Sequence, residues 1–162
     1  MAKKKTADKK IGGPFVAAAF FCENILEDMR RMLSIQGVTD TLNLTLGPHA
    51  PPDVPSKENP LAISQQLLLV FRSGDSPGKH RLKLVIEGPD GKRKKFKEDD
   101  VTFSDPPQGG INVKVAVTLV LDSGGLFWID VYLDRKLMTR VPINIGIVRV
   151  EAPTEAAPKK KA

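Results

Sequence analysis

Residues 111–147 read INVKVAVTLVLDSGGLFWIDVYLDRKLMTRVPINIGI, with apolar side chains at nearly every second position. Ile111, Val113, Val115, Val117, Leu119 and Leu121 share one side of this stretch, and Asn112, Lys114, Ala116 and Thr118 share the other. After Asp122-Ser123-Gly124-Gly125, the series Phe127, Ile129, Val131 and Leu133 repeats the rhythm against Trp128, Asp130, Tyr132 and Asp134. Beyond Asp134-Arg135-Lys136 it returns in Leu137, Thr139, Val141, Ile143, Ile145 and Ile147. Consecutive side chains of a strand face opposite sides of its sheet, so the stretch predicts a three-stranded antiparallel meander with one buried face.

Upstream the same reading continues. Phe15 to Cys22 is wholly apolar, which predicts a strand covered on both sides. Glu23 to Met32 fits either a short helix, with Glu27 and Arg31 four apart, or an irregular hairpin. Short strands are expected on either side of Gly37. Gly47 to Pro60 holds five prolines, which remove amide donors and fix the backbone. This predicts a long loop crossing from one sheet to another. Leu61 to Arg72, apolar on both faces in its second half, predicts a central strand. Gly88-Pro89-Asp90-Gly91 predicts a hairpin turn. Together these give about eight strands and at most one short helix, the pattern of an all-β antiparallel β-sandwich, Ig-like or jelly-roll, with a closed barrel as the alternative.

The net charge of +6 is unevenly placed. Five lysines against Asp8 give residues 1–10 a charge of +4, and Lys159, Lys160 and Lys161 against Glu155 give residues 153–162 a charge of +2. Residues 11–152 are therefore neutral overall. Neither end has apolar periodicity to offset the entropy of ordering, so 1–11 and 151–162 are expected to be disordered arms around a domain at 12–150. No apolar run approaches the roughly 20 residues that span a bilayer. The eight-residue run from Phe15 lacks a small-residue cleavage site, and a cytoplasmic location is expected. Cys22 is the sole cysteine, which excludes an intrachain disulfide, and its apolar surroundings suggest a buried hydrophobe.

Two stretches carry a family resemblance. Ala19-Phe20-Phe21-Cys22-Glu23-Asn24-Ile25-Leu26, followed by Leu33-Ser34-Ile35-Gln36-Gly37-Val38, resembles the opening of an uncharacterised bacterial family. Gly124 to Asp134 with Thr139-Arg140-Val141-Pro142-Ile143 resembles its closing strands. The resemblance covers about residues 15–147 and implies a small β-sandwich of unknown function. It brings no catalytic residue with it.

Reactive constellations do not stand out. Gly109-Gly110 and Gly124-Gly125 open strands rather than helices, unlike a phosphate loop. His49 and His80 are far apart in sequence and suggest no metal site. Glu98-Asp99-Asp100 follows five basic residues, which favours mutual screening over calcium binding. Asp75, Ser76 and His80 lack a nucleophile elbow. The expectation is a non-enzymatic interaction module, with no cofactor and no small-molecule substrate, that binds a protein partner or itself. Trp128, Asp130 and Tyr132 share one side of their strand and are its candidate contact. Packing under the Gly47–Pro60 loop is the alternative for them. A second expectation is sequence-independent nucleic-acid binding, with phosphate contacts from Lys3, Lys4, Lys5, Lys9, Lys10, Lys92, Arg93, Lys94, Lys95, Lys97, Lys159, Lys160 and Lys161.

Overall fold

Alternating burial marks most of the longer strands in the computed structural model, which describes residues 12–104 and 109–151. These residues form ten strands in three sheets, with no helix among them. The strands are β1 (Phe15–Cys22), β2 (Asn24–Glu27), β3 (Leu33–Gln36), β4 (Thr41–Leu46) and β5 (Leu61–Arg72). They continue with β6 (Gly78–Glu87), β7 (Arg93–Phe103), β8 (Gly110–Leu121), β9 (Gly125–Leu133) and β10 (Lys136–Arg149). One sheet has the order β1-β5-β8 and a second β4-β10-β9-β6-β7, while β2 and β3 pair by themselves. All pairs are antiparallel except β4 with β10.

The two larger sheets turn their apolar faces to one shared core. Leu67, Leu69 and Phe71 of β5 and Val115, Val117 and Leu119 of β8 meet Leu82 and Leu84 of β6, Ile129 and Val131 of β9, and Ile143 of β10. Each fully buried side chain of this kind contributes about 1.5–3 kcal/mol. The predicted inward sides of β8 and β9 are the buried ones.

The predicted meander is half right. β9 and β10 pair antiparallel, but β8 pairs with β5 from Leu61↔Leu121 to Arg72↔Gly110. The flank of β9 is taken by β6, from Leu82↔Leu133 to Glu87↔Trp128. The turn after β8 therefore carries the chain to the opposite sheet. Gly124 lies so close to β10 that an added Cβ would stand 2.7 Å from the Ile145 carbonyl oxygen. Both sheets face one core, so the alternation looks the same in either.

Three further expectations change or resolve. A bulge between Leu137 and Thr139 turns Leu137 outward, and Met138 packs against the core instead. β1 is an edge strand of its sheet, although Phe21 and Cys22 are buried. Glu23–Met32 is the hairpin alternative: β2 and β3 pair from Asn24↔Gln36, and Glu27 reaches Lys114 of β8 in an ion pair. The proline-rich loop does cross from the five-stranded to the three-stranded sheet. Arg149 ties it down by donating to the carbonyl oxygens of Ala50, Pro51 and Val54 at 2.7, 2.9 and 2.8 Å.

The start of β1 is tied to the β5–β6 loop. Gly12 N–H donates to Asp75 Oδ2 at 3.0 Å, and Asp75 N–H donates to the Gly12 carbonyl at 3.1 Å. Gly74 has φ +54°, and a Cβ there would stand 1.7 Å from the Gly12 oxygen. Gly74→Ala is expected to lower the unfolding free energy by about 1–3 kcal/mol, read as a shifted urea midpoint with an unchanged slope.

Candidate functional site

The outer face of the five-stranded sheet gathers the aromatic and basic residues. Register places Arg93, Glu87, Trp128 and Pro142 in one row across β7, β6, β9 and β10. Lys95, Val85, Asp130 and Arg140 form the next row, and Glu98, Lys83, Tyr132 and Leu137 the third. Trp128, Asp130 and Tyr132 thus share one face, as their spacing predicts.

Asp130 is the centre of the arrangement and is only 2% exposed. A buried carboxylate is tolerated when it is paired and hydrogen-bonded. Arg140 Nε donates to its Oδ1 at 2.6 Å, and Arg93 Nη2 donates to its Oδ2. Arg140 also donates from Nη2 to Glu87 Oε2 at 2.8 Å, and Arg93 from Nη2 to the Tyr132 hydroxyl oxygen at 2.7 Å. Two guanidiniums and two carboxylates thus interlock over the middle of the sheet. The hydrogen bond to Asp130 raises the pKa of Arg140 above the ordinary guanidinium value.

A cation stands over each of the two aromatic rings. The Arg140 guanidinium lies 4.8 Å from the Trp128 ring centroid, and Lys83 Nζ lies 5.8 Å from that of Tyr132. Both rings remain half-buried. An open groove of about 910 Å³ runs along this face, lined by Lys83, Val85, Arg93, Lys95, Tyr132 and Arg135 among others. The role of Arg140 escaped the sequence reading. Counting back from the Asp134-Arg135 turn sets Thr139 opposite Asp130, and the bulge between Leu137 and Thr139 puts Arg140 there instead.

The basic run of β7 is largely engaged by carboxylates. Lys92 pairs with Asp90 at 2.7 Å, Lys95 with Glu98 at 3.0 Å and Lys97 with Asp99 at 2.6 Å, while Arg93 holds Asp130. Arg81 of β6 reaches both Glu98 and Asp100, at 3.1 and 3.0 Å. Glu98 and Asp100 are held below their usual carboxylate range, Glu98 first by Lys95 and Asp100 first by Lys79. Lys3, Lys4, Lys5, Lys9, Lys10, Lys159, Lys160 and Lys161 lie outside the described residues. Among those described, no three His, Cys, Asp or Glu side chains converge as a cation site requires. No helix among the described residues is long and apolar enough to cross a membrane. Cys22 is fully buried, and burial raises its thiol pKa.

One family model matches residues 17–146, most of the chain. The chain belongs to that family, a family of unknown function (DUF6941). No curated protein matches this DUF6941 chain. Among solved structures it is similar to a β-glucosidase from Listeria innocua in complex with glucose, at 11% identity and a TM-score of 0.40 over 67% of this chain and 15% of that one. It is also similar to the alkylpurine DNA glycosylase AlkC from Pseudomonas fluorescens bound to DNA containing an abasic site analog. That match has 11% identity and a TM-score of 0.36 over 65% of this chain and 27% of the other. The DUF6941 chain thus spans less than a third of either protein.

Three outcomes follow. Arg140→Ala removes one of two partners from a buried carboxylate while Arg93 remains, so unfolding free energy is expected to fall by about 1–3 kcal/mol. An Asp130→Asn, Arg140→Ala double-mutant cycle should return a coupling of about 1 kcal/mol or more. Asp134, at the end of β9, has a depressed pKa, chiefly from the Arg81 backbone N–H and then from His80. Its contribution to stability is complete above the unfolded value of about 3.9 and is lost as pH falls through the lower native value. Thermal melts of Asp134→Asn and wild type should differ at pH 6 and converge toward pH 2.

Proposed function

We propose that this DUF6941 chain is a non-enzymatic interaction module of the cytoplasm, built as an Ig-like β-sandwich. It offers the outer face of its five-stranded sheet to a protein partner. The Ig-like reading is supported by the way the N-terminal strands divide, with β1 in the three-stranded sheet and β4 added parallel to β10 in the five-stranded one. Two facing sheets around one core agree with it.

The observation that carries the functional reading is the Trp128–Asp130–Tyr132 row locked by Arg93 and Arg140. Trp, Tyr and Arg dominate the binding energy of protein interfaces, and side chains already held in place lose less entropy on association. Arg81, Lys83, Arg93, Lys95 and Arg135 outnumber Glu98 and Asp134 around the groove, which favours an acidic partner surface. Self-association is the homotypic version of the same reading.

Lys83 and Tyr132 lie at the accessible end of the row. Proteins retained on immobilised wild-type chain should be lost on the Lys83→Glu and Tyr132→Ser variants. Lys83→Glu, an exposed substitution, should change stability by no more than about 0.5 kcal/mol. An unchanged set of retained proteins on both variants would remove this face from consideration, and light scattering separates a partner from a second copy.

A further inference from the structure

Among the described residues, the two larger sheets end side by side in free edges. β8 is paired with β5 along its full length, and among the described residues nothing pairs with its other side. β7 is the last strand of the five-stranded sheet. The chain passes directly from the end of β7 to the start of β8, so the two edges are joined at the Phe103 and Gly110 end. At the opposite end, a cleft of about 560 Å³ opens between Lys94–Phe96 of β7 and Thr118–Val120 of β8.

This cleft opens onto the core. Leu119 and Phe127 belong to the core cluster, and Phe96 packs against it. Val120, at the rim, is 64% exposed. An unpaired strand edge beside such a cleft carries outward-pointing N–H and C=O groups with no partner, the arrangement that binds extended segments by strand addition. Lys57, Lys92, Lys94 and Lys95 line the cleft against Asp90 and Asp122, and Lys57 and Lys94, both exposed, are paired with no carboxylate of the described residues. Lys94 lies across β7 from its neighbour Arg93, away from the Asp130 face.

We propose that the free edge of β8 takes an extended acidic segment of another protein as a fourth strand of the three-stranded sheet. Its alternate apolar side chains meet Phe96, Leu119 and Phe127, and its carboxylates meet Lys57 and Lys94. The charge pattern disfavours the other occupants. Residues 1–10 carry five lysines and 153–162 carry three, so the chain's own ends meet like charge there. A second copy joined through the same edge brings its own Lys57 and Lys94 to the same rim. This surface shares only Lys95 with the groove on the Trp128 face, so Trp128→Ser should leave binding here unchanged, and either proposal can fail alone.

The test uses the full chain and fluorescein-labelled peptides of about eight residues alternating Val with Glu, or Val with Lys, followed by anisotropy. The Val-Glu peptide should bind at least about tenfold tighter than Val-Lys, and Lys57→Glu with Lys94→Glu should remove that preference. N-methylation of every second peptide nitrogen should weaken binding about tenfold or more in one of the two alternating sets, the set that faces β8, and leave the other set close to the parent. Equal binding of both N-methylated sets would reduce the effect to charge attraction and overturn strand addition. No saturable binding of Val-Glu would do the same, as would a dimer in light scattering that Thr118→Pro dissociates. In that last case, the edge belongs to a second copy.

Discussion

A carboxylate with almost no access to water lies on the outward side of β9, and the architecture around it meets the requirement that it be paired. Asp130 is held by Arg140 from β10 and Arg93 from the start of β7. A strand that presented Asp130 without those neighbours would carry an uncompensated buried charge. β9 therefore needs β10 on one side and the β6–β7 hairpin on the other, which is the order found in the five-stranded sheet. Its inner side meets the same requirement by apolar means, through Phe127, Ile129, Val131 and Leu133.

Charge organisation gives the molecule its surfaces. Positive and negative residues pair across β6 and β7 and along β7 itself, which keeps a strongly charged hairpin compatible with a neutral body. Exposed pairs of this kind add little stability individually. Their effect is to leave particular cations unmatched: Lys83 over the Tyr132 ring on the outer face, and Lys57 and Lys94 beside the open edge. The two surfaces differ in what they present. One is a side-chain mosaic fixed by arginine bridges, and the other is a backbone edge with an apolar floor.

The hairpin of β2 and β3 stands apart from both. Met29, Met32 and Leu26 are exposed on it, and it is tied to the three-stranded sheet through Glu27 and Lys114. A two-stranded hairpin is marginal by itself, so such tethers to the body matter to its persistence.

The two-residue rhythm of β8, β9 and β10 by itself determined that these are strands and, in β8, β9 and the part of β10 from Val141 onward, which side chains face inward, because alternation is a local property of the pleated backbone. The proline content of Gly47–Pro60 likewise announced a crossing between sheets, and the apolar second half of Leu61–Arg72 announced a central strand. The sharing of one face by Trp128, Asp130 and Tyr132 was equally legible. Only the tertiary structure decided that β8 joins β5 instead of β9, that one extra residue turns Leu137 outward and Met138 inward, and that Arg93 and Arg140 close over Asp130. These outcomes depend on which distant segments lie beside one another. A side-chain period is identical for every sheet that faces the same core, so it carries no record of a strand's neighbours.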